Sequence, residues 1–377
     1  MIRNLNISNF RCFKDFDIQG FERINLFGGK NNSGKTALLE ALFLGSSPAY
    51  ETIIILRQIR GESGEFLKAF PEKAWDNLFF DKKEAGQKRI IINLGYDDKT
   101  KDIDMGCADS VEQFSETFRE PDHDSAKNFE DLNIISIEKK FKNSVLNIRS
   151  YEHNRLSVSA SMIANSKGIR TKTIYECSDC TSDDSDKAIF IPAFLKMSNS
   201  ALAQEFDKSD LEGHADEILK AIQSIDESIV QVKTLNIGTP TVYLKRKAEK
   251  YLPITLFGEA INRVAQFIVK MVNNRNGILL IDEIENGIHY TNHGELWKML
   301  FKLSKEFNIQ IFATTHSYEM IKSFSKVASE FAQEAKEDRG AYFEIAKNIR
   351  TDRIVGIKRE IEILKYELSR GMELRGE

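Results

Sequence analysis

Apolar and polar residues follow patterns that predict an α/β lobe at the start of the chain. Residues 2–8 and 15–19 alternate apolar and polar positions, which predicts a β-hairpin around residues 9–12. A β-type, largely apolar run at 23–27 predicts a strand, and the apolar spacing of residues 35–45 predicts a helix soon after it.

The middle of the chain changes from strand patterns to helix patterns. Short β-type runs dominate from about 88 to 192, interrupted at about 102–132 by an acidic stretch that we expect to be a loop with some helix. Apolar residues at helical spacing then predict a short helical segment over 199–230. A strand at 239–245 and a helix at 258–272 follow.

The C-terminal third alternates strands with helices. Strands are predicted at 277–281 and 309–313, and helices at 290–306 and 317–333, which is typical of a parallel α/β sheet. A final amphipathic helix is predicted at about 354–370. Its basic residues either bind a partner protein or nucleic acid or lie on the solvated face of a packed helix: Arg353, Lys358, Arg359, Lys365 and Arg370.

These patterns predict an α/β fold with a mixed sheet flanked by helices. We expect five segments: a first lobe at 1–85, a β-rich insertion at 86–195, a short helical insertion at 196–235, a second lobe at 236–345 and the C-terminal amphipathic helix at 346–377.

Composition narrows the class of protein. With 377 residues, 41% of them hydrophobic, the chain can bury a large core. A net charge of −4 gives no overall attraction to nucleic acid, so any such contact needs a local basic patch. The first residues lack the apolar core of a signal peptide, and no apolar run approaches a membrane span. We therefore expect a cytoplasmic protein with no membrane partner.

The strand at 23–27 leads into a glycine-rich loop with the spacing G-x-x-x-x-G-K-T, and a helix follows. In such a loop the backbone N–H groups and the helix N-terminus bind phosphate oxygens. Lys35 can reach the β- and γ-phosphates, and the Thr36 hydroxyl can bind Mg²⁺. The next residue, Ala37, has no hydroxyl, so position 37 supplies no threonine ligand. The residues expected to bind the nucleotide are Gly29, Asn31, Asn32, Ser33, Gly34, Lys35 and Thr36.

Carboxylates follow the apolar strand at 277–281, at the sheet edge where α/β proteins bind ligands. Asp282 would hold Mg²⁺, as the aspartate of a Walker B motif does, and Glu283 would accept a proton from the attacking water. On its own, a strand followed by an acidic helix cap would look the same. The glycine-rich loop upstream favours the Walker B interpretation.

Two further positions are candidates for the same site. His316 follows the strand at 309–313 and could contact the γ-phosphate, although a histidine at a strand end is more often structural. Gly258 stands at a predicted loop-to-helix junction whose N–H groups could face a phosphate. The alternative is an ordinary helix start capped by Thr255 or Gly258.

The order of these motifs resembles that of the ATP-binding-cassette (ABC) superfamily of P-loop ATPases. The sequence is most similar to the branch that contains RecF, SMC and the OLD (overcoming lysogenization defect) ATPases. The resemblance rests on the opening residues 7–15, the loop at 29–36, the Asp-Glu segment at 281–289 and the Thr-Thr-His-Ser segment at 314–317. It covers the N-terminal fifth and residues 240–325, and it implies an ABC-type ATPase head.

The resemblance also implies a mechanism. Two heads would pair head-to-tail around ATP, with Gly258 of one copy completing the site around Lys35 and Asp282 of the other. Glu285 and Asn286 would cross the dimer axis. Residues 256–260 stand where the ABC signature lies, but depart from it at Phe257 and Ala260. Gln58 is a weak candidate for the Q-loop glutamine.

OLD nucleases carry a further nuclease (Toprim) domain, and the segment after His316 is too short for one of about a hundred residues. We therefore expect no nuclease centre here. The remaining clusters are better explained as ordinary loop or surface residues than as sites. They are the pairs Cys177 and Cys180, Asp102 and Asp104, Asp183 and Asp184, and His289 and His293.

Two classes of function remain. The first is an ATPase, dependent on ATP and Mg²⁺, that dimerises and regulates a separate effector such as a nuclease or toxin in antiphage defence. The second is a RecF-like, ATP-gated DNA clamp or sensor with little turnover. An intact Glu283 favours hydrolysis.

Overall fold

A computed structural model describes residues 1–80, 88–108, 144–175, 187–194, 197–334 and 339–370, without the side chains of 172–175 and 334. The strands are β1 Ile2–Phe10, β2 Phe13–Gln19, β3 Ile24–Gly28, β4 Lys88–Tyr96, β5 Thr100–Ala108, β6 Ser144–Glu152, β7 Arg155–Asn165, β8 Gly168–Tyr175, β9 Ala188–Ile191, β10 Ile229–Ile237, β11 Thr239–Arg246, β12 Tyr251–Pro253, β13 Ile278–Ile281, β14 Gln310–Thr314, β15 Gly340–Lys347 and β16 Ile354–Arg359. The helices are α1 Lys35–Ser46, α2 Tyr50–Ile59, α3 Gly64–Ala69, α4 Asn199–Leu211, α5 Ala215–Gln223, α6 Glu259–Val272, α7 His293–Glu306, α8 Tyr318–Glu334 and α9 Ile361–Ser369.

A six-stranded sheet in the order β16-β15-β3-β14-β13-β9 forms the centre of the molecule. Its strands are parallel except for β16, which pairs antiparallel with β15. Every residue of β3, β13 and β14 is buried, because both faces of the sheet are covered. This burial explains why these segments are mostly apolar, and the buried polar side chains Asn25 and Gln310 hydrogen-bond to backbone groups.

A seven-stranded antiparallel sheet in the order β2-β1-β4-β5-β6-β7-β8 packs beside it. Strand β1 pairs with β2 on one side and with β4 on the other. The predicted hairpin at the start of the chain is therefore present, and the β-rich segment extends the same sheet. Strand β9 leaves that segment and pairs with β13 in the six-stranded sheet.

Helix α1 lies between the two sheets, and all of its residues except Thr36 are buried. The rings of Phe27 and Phe312 stack with centroids 6.2 Å apart on that side of the six-stranded sheet. On the opposite side, helices α6, α7 and α8 form a second core around Trp297 and Phe324. The glycine-rich loop is thus anchored at one end by a fully buried strand and at the other by a helix that is buried except at Thr36.

The segment predicted to be helical over 199–230 is only partly so. Helices α4 and α5 end at Leu211 and Gln223, and β10 begins at Ile229. Strand β10 pairs antiparallel with β11, which also pairs with β12. Cross-strand pairing explains the difference, because the last isoleucines of the helical pattern lie beside an alternating β-type stretch.

The final helix predicted at 354–370 is wrong in its first half. Residues Ile354–Arg359 form β16, and only Ile361–Ser369 is helical. The partner strand β15 offers a free edge, and a Cβ on Gly356 would stand 2.7 Å from Ile18 Cδ1, so the strand packs closely. Pairing with a distant strand outweighs the helical spacing of the isoleucines.

The basic residues of this segment contact their own chain. Arg353 lies 3.4 Å from Asp15, and Lys358 donates a 2.7 Å hydrogen bond to the Gly20 carbonyl. Arg359 donates to Glu344, Lys365 donates to Ser329 Oγ, and the Arg370 guanidinium lies over the ring of Tyr366. Among the described helices, none has both the length and the apolar character needed to cross a bilayer.

Candidate nucleotide-binding site

The site lies where three parallel strands end side by side. Strand β14 pairs with β13 and with β3 in parallel register, so the residues after each strand reach one edge of the sheet. Asp282 follows β13, Thr315 follows β14, and the glycine-rich loop follows β3. The motifs that the sequence analysis expects to meet therefore lie together at this edge of the sheet.

The loop holds a conformation that needs its glycines. Gly29 has φ +145°, and a Cβ there would stand 2.2 Å from the Ile345 carbonyl oxygen. Gly34, with φ +97°, is the residue before helix α1. Both positions lie in the left-handed region of φ that favours glycine. Asn31 and Asn32 are exposed, while the Ser33 hydroxyl is buried with no hydrogen-bond partner among the described residues.

The Lys35 ammonium closes the loop. Its Nζ donates hydrogen bonds of 2.8 Å and 2.7 Å to the carbonyl oxygens of Gly29 and Lys30. Burial lowers the pKa of Lys35, while the nearby carboxylate of Asp282 opposes that shift. A phosphate in the loop would give this ammonium a charged acceptor, which makes a stronger hydrogen bond than a carbonyl does.

The residue after Thr36 supplies no ligand. Position 37 holds alanine and not threonine, and Ala37 is the third residue of helix α1. Its side chain is a methyl group that is 4% exposed, packed in the core between the two sheets. A methyl group can neither donate a hydrogen bond to a phosphate nor bind Mg²⁺. The hydroxyl at the start of this helix is therefore that of Thr36.

Asp282 is buried, and two threonine hydroxyls donate to it. Thr36 Oγ1 lies 3.1 Å from both carboxylate oxygens, and Thr314 Oγ1 lies 2.6 Å from Oδ1. Burial raises the pKa of Asp282, because the ionised form loses its water, and the two hydroxyls partly offset this. A buried carboxylate beside a hydroxyl is a donor set that suits Mg²⁺. The residues present therefore fit that cation.

Glu283 stands at the mouth of the site with φ 46°, in the left-handed region. Its backbone N–H donates to Thr314 Oγ1 at 2.9 Å, and its carboxylate accepts a 2.9 Å hydrogen bond from Asn286 Nδ2. Thr314 thus contacts both acidic residues. Its contribution was missed in the sequence, where the hydroxyls after the strand were noticed only as a group.

His316 is held by Glu285. Its Nδ1 lies 3.1 Å from Glu285 Oε1, and its backbone N–H donates to the same oxygen at 2.9 Å. The same ring nitrogen is 3.9 Å from Glu283 Oε1, so the histidine and the candidate base are neighbours. In this single copy, Glu285 and Asn286 contact groups of their own chain. Their expected place across a dimer axis stays a prediction.

Gly258 is the residue before helix α6, as expected, with φ +90°. A Cβ there would meet no atom within 4 Å, so this helix start is open to solvent. Among the described residues, Gly258 does not line the cleft beside the glycine-rich loop of its own chain. Gln58 lies on the exposed side of helix α2, and it too is absent from that lining.

A cleft of about 550 Å³ opens beside the loop, and Arg11 and Arg60 line it together with Lys35. Both arginines bind the fully buried carboxylate of Glu40, through Nε at 2.8 Å and 2.6 Å. Sequence reasoning did not identify this cluster. The available signal was a single glutamate inside the apolar helix pattern of α1.

The other candidate clusters have ordinary partners. His289 Nδ1 lies 3.0 Å from Thr291 Oγ1, whereas buried His293 faces the Ile288 carbonyl oxygen at 3.2 Å. Within the described ranges, no group of three or more His, Cys, Asp or Glu side chains could hold a metal ion.

The first of the two acidic pairs lies in a strand. Asp102 and Asp104 were expected in a loop but lie in strand β5, where Asp104 pairs with Arg89 at 2.6 Å. The alternation of apolar and polar residues in that strand leaves both aspartates on the less buried face. The pairs Cys177 with Cys180 and Asp183 with Asp184 lie outside the described residues.

This fold and this edge of the sheet define an ABC/SMC-type P-loop ATPase. A family model described as "AAA ATPase domain" matches residues 1–191 and 149–321, and the chain belongs to that family. It is 24% identical over 358 residues to an "ATP/GTP phosphatase" of Helicobacter pylori, covering 89% of this chain and 91% of that protein.

Two other similarities concern part of the sequence and the fold. A "DNA replication and repair protein RecF" of Acinetobacter baumannii is 29% identical over 93 residues, which cover 24% of this chain and 26% of RecF. The Smc head bound to the C-winged helix domain of ScpA superposes with a TM-score of 0.50 at 12% identity, covering 96% of this chain and 99% of that one. The latter likeness confirms the predicted fold.

Proposed function

We propose that this protein binds and hydrolyses ATP at the cleft beside residues 29–36, and that two copies close around the nucleotide. The observation that carries the proposal is the chain of hydrogen bonds from Thr36 through Asp282 to Thr314 and the backbone of Glu283. These contacts hold a candidate metal ligand and a candidate base beside the phosphate-binding loop.

Each residue has a distinct part in the proposed reaction. The loop N–H groups, the N-terminus of α1 and the Lys35 ammonium bind and orient the phosphates. Mg²⁺, held by Thr36 and Asp282, would neutralise charge on the phosphate oxygens. Glu283 accepts the proton of the attacking water, and Asn286 orients that carboxylate. His316, held by Glu285, would contact the γ-phosphate.

The dimer is proposed from the exposed start of helix α6. Gly258 and Leu256 are exposed there, with 68% of Leu256 accessible, although neither has a role in its own cleft. Glu259 packs against Gly287, so this helix start adjoins the segment that carries Glu285 and Asn286. A second copy placed head-to-tail would bring Gly258 to the other nucleotide.

We further propose that ATP-dependent dimerisation regulates a separately encoded effector, such as a nuclease or toxin in antiviral defence. The similarity to OLD-like ATPases supports this assignment. A RecF-like DNA clamp with little turnover is the second candidate, favoured by the match to RecF over the 93 residues given above.

ATP turnover by the purified protein tests the proposal. We expect phosphate release to need Mg²⁺ and to fall about 100-fold or more in Lys35→Ala, because that ammonium would bind the transferred phosphate. Lys302→Ala, which removes an exposed lysine on helix α7, is the matched control and should keep full activity. Equal turnover in wild type and Lys35→Ala would remove the proposal.

A further inference from the structure

The three-stranded sheet β10-β11-β12 has two contrasting faces. On one face Val242 and Leu244 are buried against the core that includes Leu202 and Phe206 of helix α4. Because side chains alternate along a strand, Tyr243 and Lys245 lie on the opposite face. Tyr243 and Lys245 are only half-buried, whereas Val242 and Leu244 are buried.

The outer face carries two ammonium groups around one aromatic ring. Lys245 pairs directly with Tyr251 across β11 and β12, and Lys233 pairs with Tyr243 across β10 and β11. Lys233 Nζ lies 3.8 Å from the centre of the Tyr251 ring, and Lys245 Nζ lies 5.7 Å from it. The Tyr251 hydroxyl donates a 2.6 Å hydrogen bond to Gln231 Oε1. The tyrosine therefore positions both cations.

The charge of this face is opposite to that of the whole chain. Lys247 and Lys250 are exposed where β11 turns into β12, and they extend the positive charge beyond Lys233 and Lys245. Within the described residues, Lys233 and Lys245 have no carboxylate at ion-pair distance. The chain as a whole carries a net charge of −4. Two lysines on the strands and two in the turn, against the single carboxylate of Glu249 in that turn, thus form a local basic patch, and we call it the lysine face.

We propose that the lysine face binds the sugar-phosphate backbone of a nucleic acid. Adjacent strands lie about 4.8 Å apart, so the lysines on β10 and β11 and those in the turn after β11 present several cations in a row. A row of cations suits a polymer of phosphates better than a single anion, and release of counterions drives such binding. Aromatic rings interleaved with lysines are typical of surfaces that bind nucleic acids without sequence preference.

The position of the lysine face connects it to the proposed nucleotide site. Strand β12 continues directly into the 3-10 helix Ile254–Phe257, which ends at Gly258. A nucleic acid held at Tyr251 would lie one short turn from the helix start that we propose faces the second nucleotide. This coupling rests on the proposed function, whereas binding to the lysine face does not.

Fluorescence anisotropy with labelled DNA of about 30 nucleotides, without ATP, tests binding, using single-stranded and duplex arms at about 50 and 200 mM salt. The variant Lys233→Gln/Lys245→Gln should bind about tenfold more weakly, with a shallower salt dependence, because it loses two phosphate contacts. The control Lys322→Gln/Lys326→Gln removes the same charge from the exposed side of helix α8 and should bind like wild type.

Tyr251→Leu separates positioning from charge. This variant keeps the net charge but loses the ring that holds both ammonium groups, so we expect a few-fold weaker binding. The proposal would be overturned if the Lys233→Gln/Lys245→Gln variant and the Lys322→Gln/Lys326→Gln control lost DNA affinity equally, or if the wild type did not bind DNA. Lysine-face-dependent binding to vesicles of anionic lipid in place of DNA would also overturn it. Without ATP, Lys35→Ala should bind DNA like wild type. Failure of the ATPase proposal can therefore be distinguished from failure of DNA binding at the lysine face.

Discussion

Thr314 shows how one side chain organises the candidate site at the scale of single residues. Its hydroxyl donates to Asp282 at 2.6 Å and accepts the Glu283 N–H at 2.9 Å. One contact fixes the candidate metal ligand, and the other fixes the backbone of the candidate base in its left-handed conformation. The site is therefore held in place by its own hydrogen bonds before any nucleotide binds.

Asp282→Asn should stabilise the nucleotide-free protein while abolishing turnover. The buried carboxylate has a raised pKa, so the fold loses stability as the pH rises from the ordinary value of 3.8 through that raised pKa, and the full loss is present above it. An amide keeps an acceptor for Thr314 without the charge, and we expect a gain of about 1 kcal/mol at neutral pH. Thermal unfolding measures it.

The pH dependence gives the control for this prediction. Below the ordinary pKa of 3.8, Asp282 is protonated in both folded and unfolded protein, so the gain from the amide should disappear as the pH falls towards that value. A gain that does not change with pH, or a loss of stability at neutral pH, would contradict the electrostatic explanation.

At the scale of elements, the contact between β3 and β15 sets the position of the glycine-rich loop. A Cβ on Gly28 would stand 2.2 Å from the hydroxyl of buried Tyr342. Gly28→Ala should therefore destabilise the protein by about 1–3 kcal/mol through overpacking. Chemical denaturation measures the change.

Tyr342→Phe supplies the matched test. The Tyr342 hydroxyl is buried with no hydrogen-bond partner in the described part of the chain, so its removal alone should cost little. In the double variant Gly28→Ala/Tyr342→Phe, loss of the hydroxyl should recover part of the stability lost in Gly28→Ala, because the nearest clashing atom is gone. Strictly additive effects would show that the two residues do not meet.

The elements also show which features a sequence can predict. Mostly apolar runs marked β3, β13 and β14, and parallel strands necessarily end at one edge, so Lys35, Asp282 and His316 could be grouped beforehand. Strand β16 was mistaken for helix because its partner is set by the fold and not by local spacing. The cluster of Arg11, Glu40 and Arg60 was also missed, since it joins three separate elements.

At the scale of the whole molecule, the account requires two copies. Glu283→Gln should slow hydrolysis about 100-fold or more, so that the ATP-bound dimer accumulates. Size-exclusion chromatography with light scattering should find dimers with ATP and Mg²⁺ and monomers without them. The double variant Lys35→Ala/Glu283→Gln should stay monomeric under both conditions, and a Glu283→Gln monomer at saturating ATP would count against the dimer.

Mixing two inactive variants tests the composite site most directly. Lys35→Ala disables the phosphate-binding loop, and Gly258→Ala strains a helix start with φ +90°, although the added methyl group would meet no described atom of its own chain within 4 Å. Each alone should hydrolyse ATP poorly while remaining folded, with Gly258→Ala losing about 1 kcal/mol of stability to backbone strain. A dimer of one with the other has one intact site, made from the unaltered loop of one copy and the unaltered Gly258 of its partner.

The ATPase rate of the equimolar mixture is the deciding measurement. The account predicts activity well above that of either variant, approaching about a quarter of the wild-type rate when copies exchange freely in a two-fold dimer. A mixture that only averages the two separate rates would show that each copy hydrolyses ATP with its own residues alone.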